Sequence, residues 1–136
     1  MEFTWLSRWQ AQALALLRIV AALLFMEHGT AKLFHFPVDQ PGVPHPLPTM
    51  LLAAAVIEFT GGVLVTLGLF TRLAAFIMSG EIAVGYFIAH APKSFWPIVN
   101  MGEAAILYCF IFLYIAAAGP GAWSIDGLRA KNAPIR

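Results

Sequence analysis

The sequence is short of what keeps a small protein in water. Only 11% of its 136 residues are charged, while 60% are hydrophobic, against a usual charged share near 25%. A soluble fold of this size buries only about two-thirds of its chain's surface, so that much apolar side chain cannot all be hidden. Mean hydropathy of +0.79 agrees. Eight Lys/Arg against seven Asp/Glu leave a net charge of +1, which offers no basic footprint for nucleic acid. A single cysteine, Cys109, excludes an intramolecular disulfide, a CxxC redox pair and a cysteine-built zinc centre. No haem, flavin or iron–sulfur signature occurs, so there is no intrinsic cofactor, and electrons in any redox role must come from a ligand or a partner. What is left is a protein whose first partner is the lipid bilayer.

What the chain does have is four apolar stretches, residues 11–36, 49–70, 73–90 and 97–118. A hydrocarbon core of about 30 Å takes roughly 20 helical residues, and four strands could not close a barrel. The expectation is one all-α domain over residues 1–136, an integral membrane four-helix bundle. Between the first two stretches, Phe36 to Pro48 holds five of the nine prolines and cannot continue a helix. Gly68-Leu69-Phe70-Thr71-Arg72 reads as a tight hairpin, and Gly119-Pro120-Gly121 closes the last span ahead of an amphipathic or frayed tail. No small-residue cleavage motif follows the first stretch, which is expected to remain as an anchor.

The basic residues predict the orientation. With both termini cytoplasmic, Arg8, Arg72, Arg129, Lys131 and Arg136 fall inside, leaving Lys93 and the nearby Lys32 outside, as the positive-inside rule prefers. Trp5, Trp9 and Trp123 then lie at the inner interface and Trp96 at the outer. The expected location is the bacterial inner (plasma) membrane, crossed several times.

Each stretch carries one glutamate: Glu27, Glu58, Glu81 and Glu103. An ionisable group in a span costs at least about 2.5–3.5 kcal/mol and normally faces protein and pairs. At 1.5 Å per residue, Glu27, Glu58 and Glu81 lie roughly 13 Å from the outer ends of their helices and Glu103 roughly 9 Å. The four carboxylates therefore share a layer in the outer half of the membrane. His28, Lys32 and His35 follow one another along one face of the first helix, Asn100 shares a face with Glu103, and His90 and Lys93 stand at the outer mouth. Gly61 and Gly62 after Glu58, and Gly85 after Glu81, would let neighbouring backbones approach closely. Arg18 lies in the inner half, where Tyr114, a carbonyl or a lipid headgroup could pair with it. The expected ligand-binding set is His28, Lys32, Glu58, Glu81, His90, Asn100 and Glu103 around one outward-open cavity, with Arg18, Arg72 and Glu27 as structural polar residues. Registry alone would ask for fewer buried charges.

Several pieces of the sequence then resemble the DoxX family of small four-helix bacterial membrane proteins. They are Leu16-Leu17-Arg18-Ile19, His28-Gly29-Thr30-Ala31-Lys32-Leu33-Phe34, Ile57-Glu58-Phe59-Thr60-Gly61-Gly62, Gly68 to Ala75, Asn100-Met101-Gly102-Glu103 and Gly119 to Ser124. The family pattern often has a second glycine where Met101 stands. Of the polar residues, Arg18, His28, Lys32, Glu58, Arg72, Asn100 and Glu103 fall on the matching motifs; Glu27 and Glu81 rest on depth alone. The family includes the small subunit of an archaeal thiosulfate:quinone oxidoreductase and a mycobacterial member tied to a membrane redox-defence complex. The resemblance therefore implies a redox-linked subunit, not catalytic alone, that binds a quinone or a small sulfur-type substrate and works with a redox protein or a second copy of itself. Alternatives from the residues are a proton or small-molecule pathway, a non-catalytic assembly subunit, and a metal-binding bundle. No metal site is expected, because Glu27 and His28 are adjacent where di-iron bundles use Glu-x-x-His, and His35 and His45 read as solvated loop histidines.

Overall fold

Proline, glycine and hydropathy decide where the helices begin and end. A computed structural model describes residues 3–134, and every regular element among the described residues is helical. After a 3-10 turn at Thr4–Trp9, α1 runs Gln10–Phe34 and α2 runs Thr49–Leu67, with the proline-rich loop between them. α3 is Thr71–Ala89, followed by a 3-10 turn at Ala91–Lys93, the single turn α4 (Pro97–Asn100), α5 (Glu103–Ala118) and α6 (Ile125–Lys131). α1 stops at His35, which is left-handed at φ 56°, just ahead of Pro37. α2 starts directly after Pro48.

α1 and α3, each with its adjoining turn, and α2 are long and apolar enough to cross a membrane. The fourth apolar stretch is not one continuous helix. Asn100 Oδ1 accepts the Gly102 N–H at 2.8 Å, and Met101 between them is left-handed at φ 62°, so the backbone turns aside before α5 begins. α5 is then 16 residues, about 24 Å long. The left-handed region suits glycine, which gives a physical reason for the glycine the family pattern often carries at this position.

α1 packs most extensively on α2 and α3 on α5, while narrower contacts between α2 and α3 and between α1 and α5 close a ring. Its core holds Ala22, Phe25, Val65, Met78, Phe112 and Ile115, all buried. Large apolar side chains point the other way: Phe76 is 62% exposed, Phe87 71% and Leu107 63%. A helix apolar on its outer side as well as its inner one belongs in lipid.

Glycines set the closest approach. A Cβ on Gly29 would lie 2.7 Å from the Phe59 nitrogen and 2.9 Å from the Ala55 oxygen, so α1 and α2 touch backbone to backbone there. Gly62 receives Met26 with the Ala22 backbone oxygen of α1 at 3.3 Å, whereas Gly61 receives the side chain of Met78 of α3 and no backbone. Gly85 is different: a Cβ there would face open space.

The tail is docked, not frayed. Ala122 N–H donates to Ala11 O at 3.0 Å and Asp126 N–H to Gly68 O at 2.8 Å, tying it to the start of α1 and to the α2–α3 hairpin. Ser124 caps α6 by accepting the Gly127 N–H at 3.0 Å. The Asp126 carboxylate accepts the Phe70 N–H at 3.0 Å and the Thr71 N–H at 2.9 Å, satisfying free donors at the start of α3 from another part of the chain. Burial works against the Asp126 charge, but the hydrogen bonds from Thr71 and Phe70, with Arg129 nearby, outweigh it and hold this carboxyl below its usual range. Gly68, left-handed at φ 68°, has Ser124 and Arg18 against it, and a Cβ would stand 2.4 Å from the Ser124 Cβ.

Candidate functional site

The polar residues of the spans fall into three groups. In the first, Lys32 of α1 reaches across the Gly29 crossing to Glu58 of α2. Its Nζ donates to Oε1 at 2.6 Å and to Oε2 at 2.7 Å, and the two side chains are 9% and 6% exposed. Glycine at position 29 brings the backbones together and so lets a lysine span the gap one turn later. Glu81 of α3 lies within electrostatic reach of both Glu58 and Lys32. Its Oε2 is buried and has no hydrogen-bond partner among the described residues.

The second group is built on Asn100, which is fully buried. Its Nδ2 donates to the Tyr86 hydroxyl and to Ser94 O, each at 3.0 Å, and its carbonyl lies 2.9 Å from His90 Nδ1. With Oδ1 on Gly102 N–H, the Asn100 side chain is spent holding the break between α4 and α5. Tyr86 was not among the residues singled out from the sequence. Its signal was the four-residue spacing from His90, on whose ring it stacks at 6.0 Å.

The third group lies at the opposite end. Arg18 is 0% exposed and donates to Pro120 O and Trp123 O, each at 2.8 Å. Of the three partners considered from the sequence, the structure selects carbonyls; Tyr114 points outward at 55% exposure. Arg72 donates to Ala116 O at 3.1 Å, to Ala117 O, and to Ala118 O at 3.5 Å. It thereby caps the final carbonyls of α5, where a cation also suits the helix dipole.

Among the described residues no hydrogen bond joins the Lys32–Glu58 pair to the Asn100 group. Among the described residues the remaining candidates make no side-chain hydrogen bond to either group. Glu27 and Glu103 are exposed on the helix surfaces. His28, exposed as well, has its ring 6.0 Å from Phe25 and 6.5 Å from Tyr108 of α5. Among the described residues, hydrogen bonds therefore distribute the expected set over separate neighbourhoods. Cavities among the described residues lie at other places. One, of ≈ 230 Å³, is an apolar groove between α2 and α3 lined by Ile57, Thr60, Leu64, Ile77 and Met78 among others. Another, of ≈ 340 Å³, lies beside Thr71, Arg72, Pro120 and Asp126.

A family model described as DoxX matches residues 13–91. The chain belongs to the DoxX family. A protein of Haemophilus influenzae described as uncharacterised is 47% identical over 128 residues, covering 89% of this chain and 93% of its own length. The inner membrane protein YqjF of Escherichia coli is 30% identical over 128 residues, 85% of this chain and 90% of that one. An uncharacterised membrane protein of Mycobacterium tuberculosis is 30% identical over 135 residues, 86% and 81% of the two chains. No solved structure gives a significant match. This DoxX chain is thus a membrane protein, and the family match reaches Arg18, the Lys32–Glu58 pair and Glu81 but ends before Asn100.

Proposed function

We propose that this DoxX protein is a redox-linked subunit of the bacterial inner membrane, in which Lys32, Glu58 and Glu81 serve proton exchange for a bound quinone. The observation that carries this reading is the buried Oε2 of Glu81, without a partner among the described residues and within electrostatic reach of the Lys32–Glu58 pair. A buried carboxylate oxygen with no donor is costly, and a cluster of this kind inside a span marks proton-handling sites. The apolar groove between α2 and α3 includes Met78, one turn along α3 from Glu81. It suits a flat hydrocarbon ring system entering from lipid. In such a site the chain holds the ring and moves the proton, while electrons pass to or from a redox partner.

The proposal includes four crossings with both termini cytoplasmic. The docked tail supports it by gathering the start of α1, the α2–α3 hairpin and α6 at one end of the molecule. That end carries Arg72, Arg129 and Lys131, with Arg8 in the turn before α1; Arg136 lies outside the described residues. A relative named an inner membrane protein supports the location, apart from the topology. Reporter fusions after Arg136 and within Pro37–Pro48 should read inside and outside respectively. An inside loop would reverse the orientation.

Titration of purified protein in detergent with a short-chain quinone tests the ligand. We expect saturable binding that falls at least tenfold in Ile77→Trp, which fills the groove, and in Glu81→Gln. Absence of saturable binding to the wild type, or equal affinity in both variants with the fold intact, overturns the quinone reading.

A further inference from the structure

Two of the chain's four histidines take no part in the polar groups of the bundle, yet they meet. His35 stands at the end of α1 and His45 ten residues on in the proline-rich loop, and their rings are 4.6 Å apart with an interplanar angle of 52°. Asp39 Oδ1 contacts His35 Nδ1. One donor atom from each of the three residues lies within 4.8 Å of the other two. We propose that His35, Asp39 and His45 bind a divalent transition-metal ion of the zinc type on the loop between α1 and α2.

The donor chemistry selects the class of ion. Two imidazoles and a carboxylate form a set suited to zinc, nickel, copper or iron; calcium and magnesium prefer oxygen alone. Three protein ligands leave a fourth tetrahedral position for water or for an incoming group. With metal–ligand distances of about 2.0–2.1 Å, tetrahedral donors stand about 3.3 Å apart. Small side-chain rotations reach that spacing, and they are free to occur because the His35 and Asp39 side chains are 54% and 72% exposed.

The backbone already holds the donors close. His35 is pinned to the helix end by its N–H on Ala31 O at 3.2 Å, and the next N–H reaches Thr30 O at 3.4 Å. From Pro37 to Pro48 the loop carries five prolines, which restrict φ and lower the entropy lost on binding. A solvated histidine pair would need neither a carboxylate between them nor a stiffened loop. Were the His35–Asp39 contact only a clamp for the loop, the segment would take up no metal. The site is independent of the quinone reading, and either can fail alone.

Untagged protein stripped with chelator and titrated calorimetrically with zinc chloride decides the matter. We expect one zinc per chain, with affinity reduced at least tenfold in Asp39→Asn and in His45→Ala. Cobalt(II) should give visible d–d absorption that both variants lose. Asp39 and His45 are exposed, so neither change removes buried packing, and melting temperatures should match the wild type. Zinc binding no tighter in the wild type than in a variant lacking all three side chains would overturn the site, as would a cobalt spectrum indifferent to His45→Ala.

Discussion

Lys32→Met is expected to cost about 3 kcal/mol of stability, the low end of what removing one partner of a buried ion pair costs. The reason is the orphaned partner more than the lost attraction. Glu58 is 4% exposed, and both of its oxygens are spent on Lys32 Nζ. Proton uptake by the abandoned carboxylate sets the low figure, since a neutral acid tolerates burial far better than a charged one. The double variant Lys32→Met/Glu58→Leu should recover most of the loss, because apolar replacement of a whole buried pair is often neutral. Thermal unfolding in one detergent across wild type, both single variants and the double variant measures the coupling. A Lys32→Met protein that melts with the wild type would show that the pair does not hold α1 to α2.

Arg18→Met should cost about 3 kcal/mol as well, and it should act on a different part of the molecule. Two charge-assisted bonds, to Pro120 O and Trp123 O, are each worth about 1.5–3 kcal/mol, and methionine keeps most of the side-chain volume. The tail from Gly119 onward should loosen from α1 and the α2–α3 hairpin, so trypsin should cut after Arg129 and Lys131 faster while folded yield falls. Arg18→Lys should recover only part of the loss, since an ammonium is a point charge and cannot reproduce the planar fork that reaches two carbonyls. Wild-type melting together with wild-type protease resistance in Arg18→Met would remove Arg18 from its place as the tie of that end.

Depth was legible in the chain, and facing was not. The positions of Glu58, Lys32 and Glu81 along their helices follow from counting residues inward from prolines and glycines, and Lys32 and Glu58 do meet. Glu27 and Glu103, counted the same way, are exposed on helix surfaces. Residue count gives height along a helix at 1.5 Å per step, but rotation about the axis depends on which neighbour packs where. In spans that are apolar all round, hydrophobic periodicity barely marks the inner face. Gly29 shows the same limit, because a glycine among small residues reveals its role only once Phe59 and Ala55 stand against it.

Composition and run length by themselves determined that the chain is helical and membrane-embedded, since an 11% charged chain with four long apolar runs has few other stable states. Ordered motifs along the chain determined its family. Tertiary structure alone decided the break of the last apolar stretch at Asn100–Gly102, where one side-chain hydrogen bond redirects the backbone. It also decided the docking of the tail through Arg18, Arg72 and Asp126, and the meeting of His35, Asp39 and His45 on the loop. Each of these joins residues through hydrogen bonds or close donor contacts whose geometry depends on how neighbouring segments pack. No local pattern of polar and apolar residues encodes that.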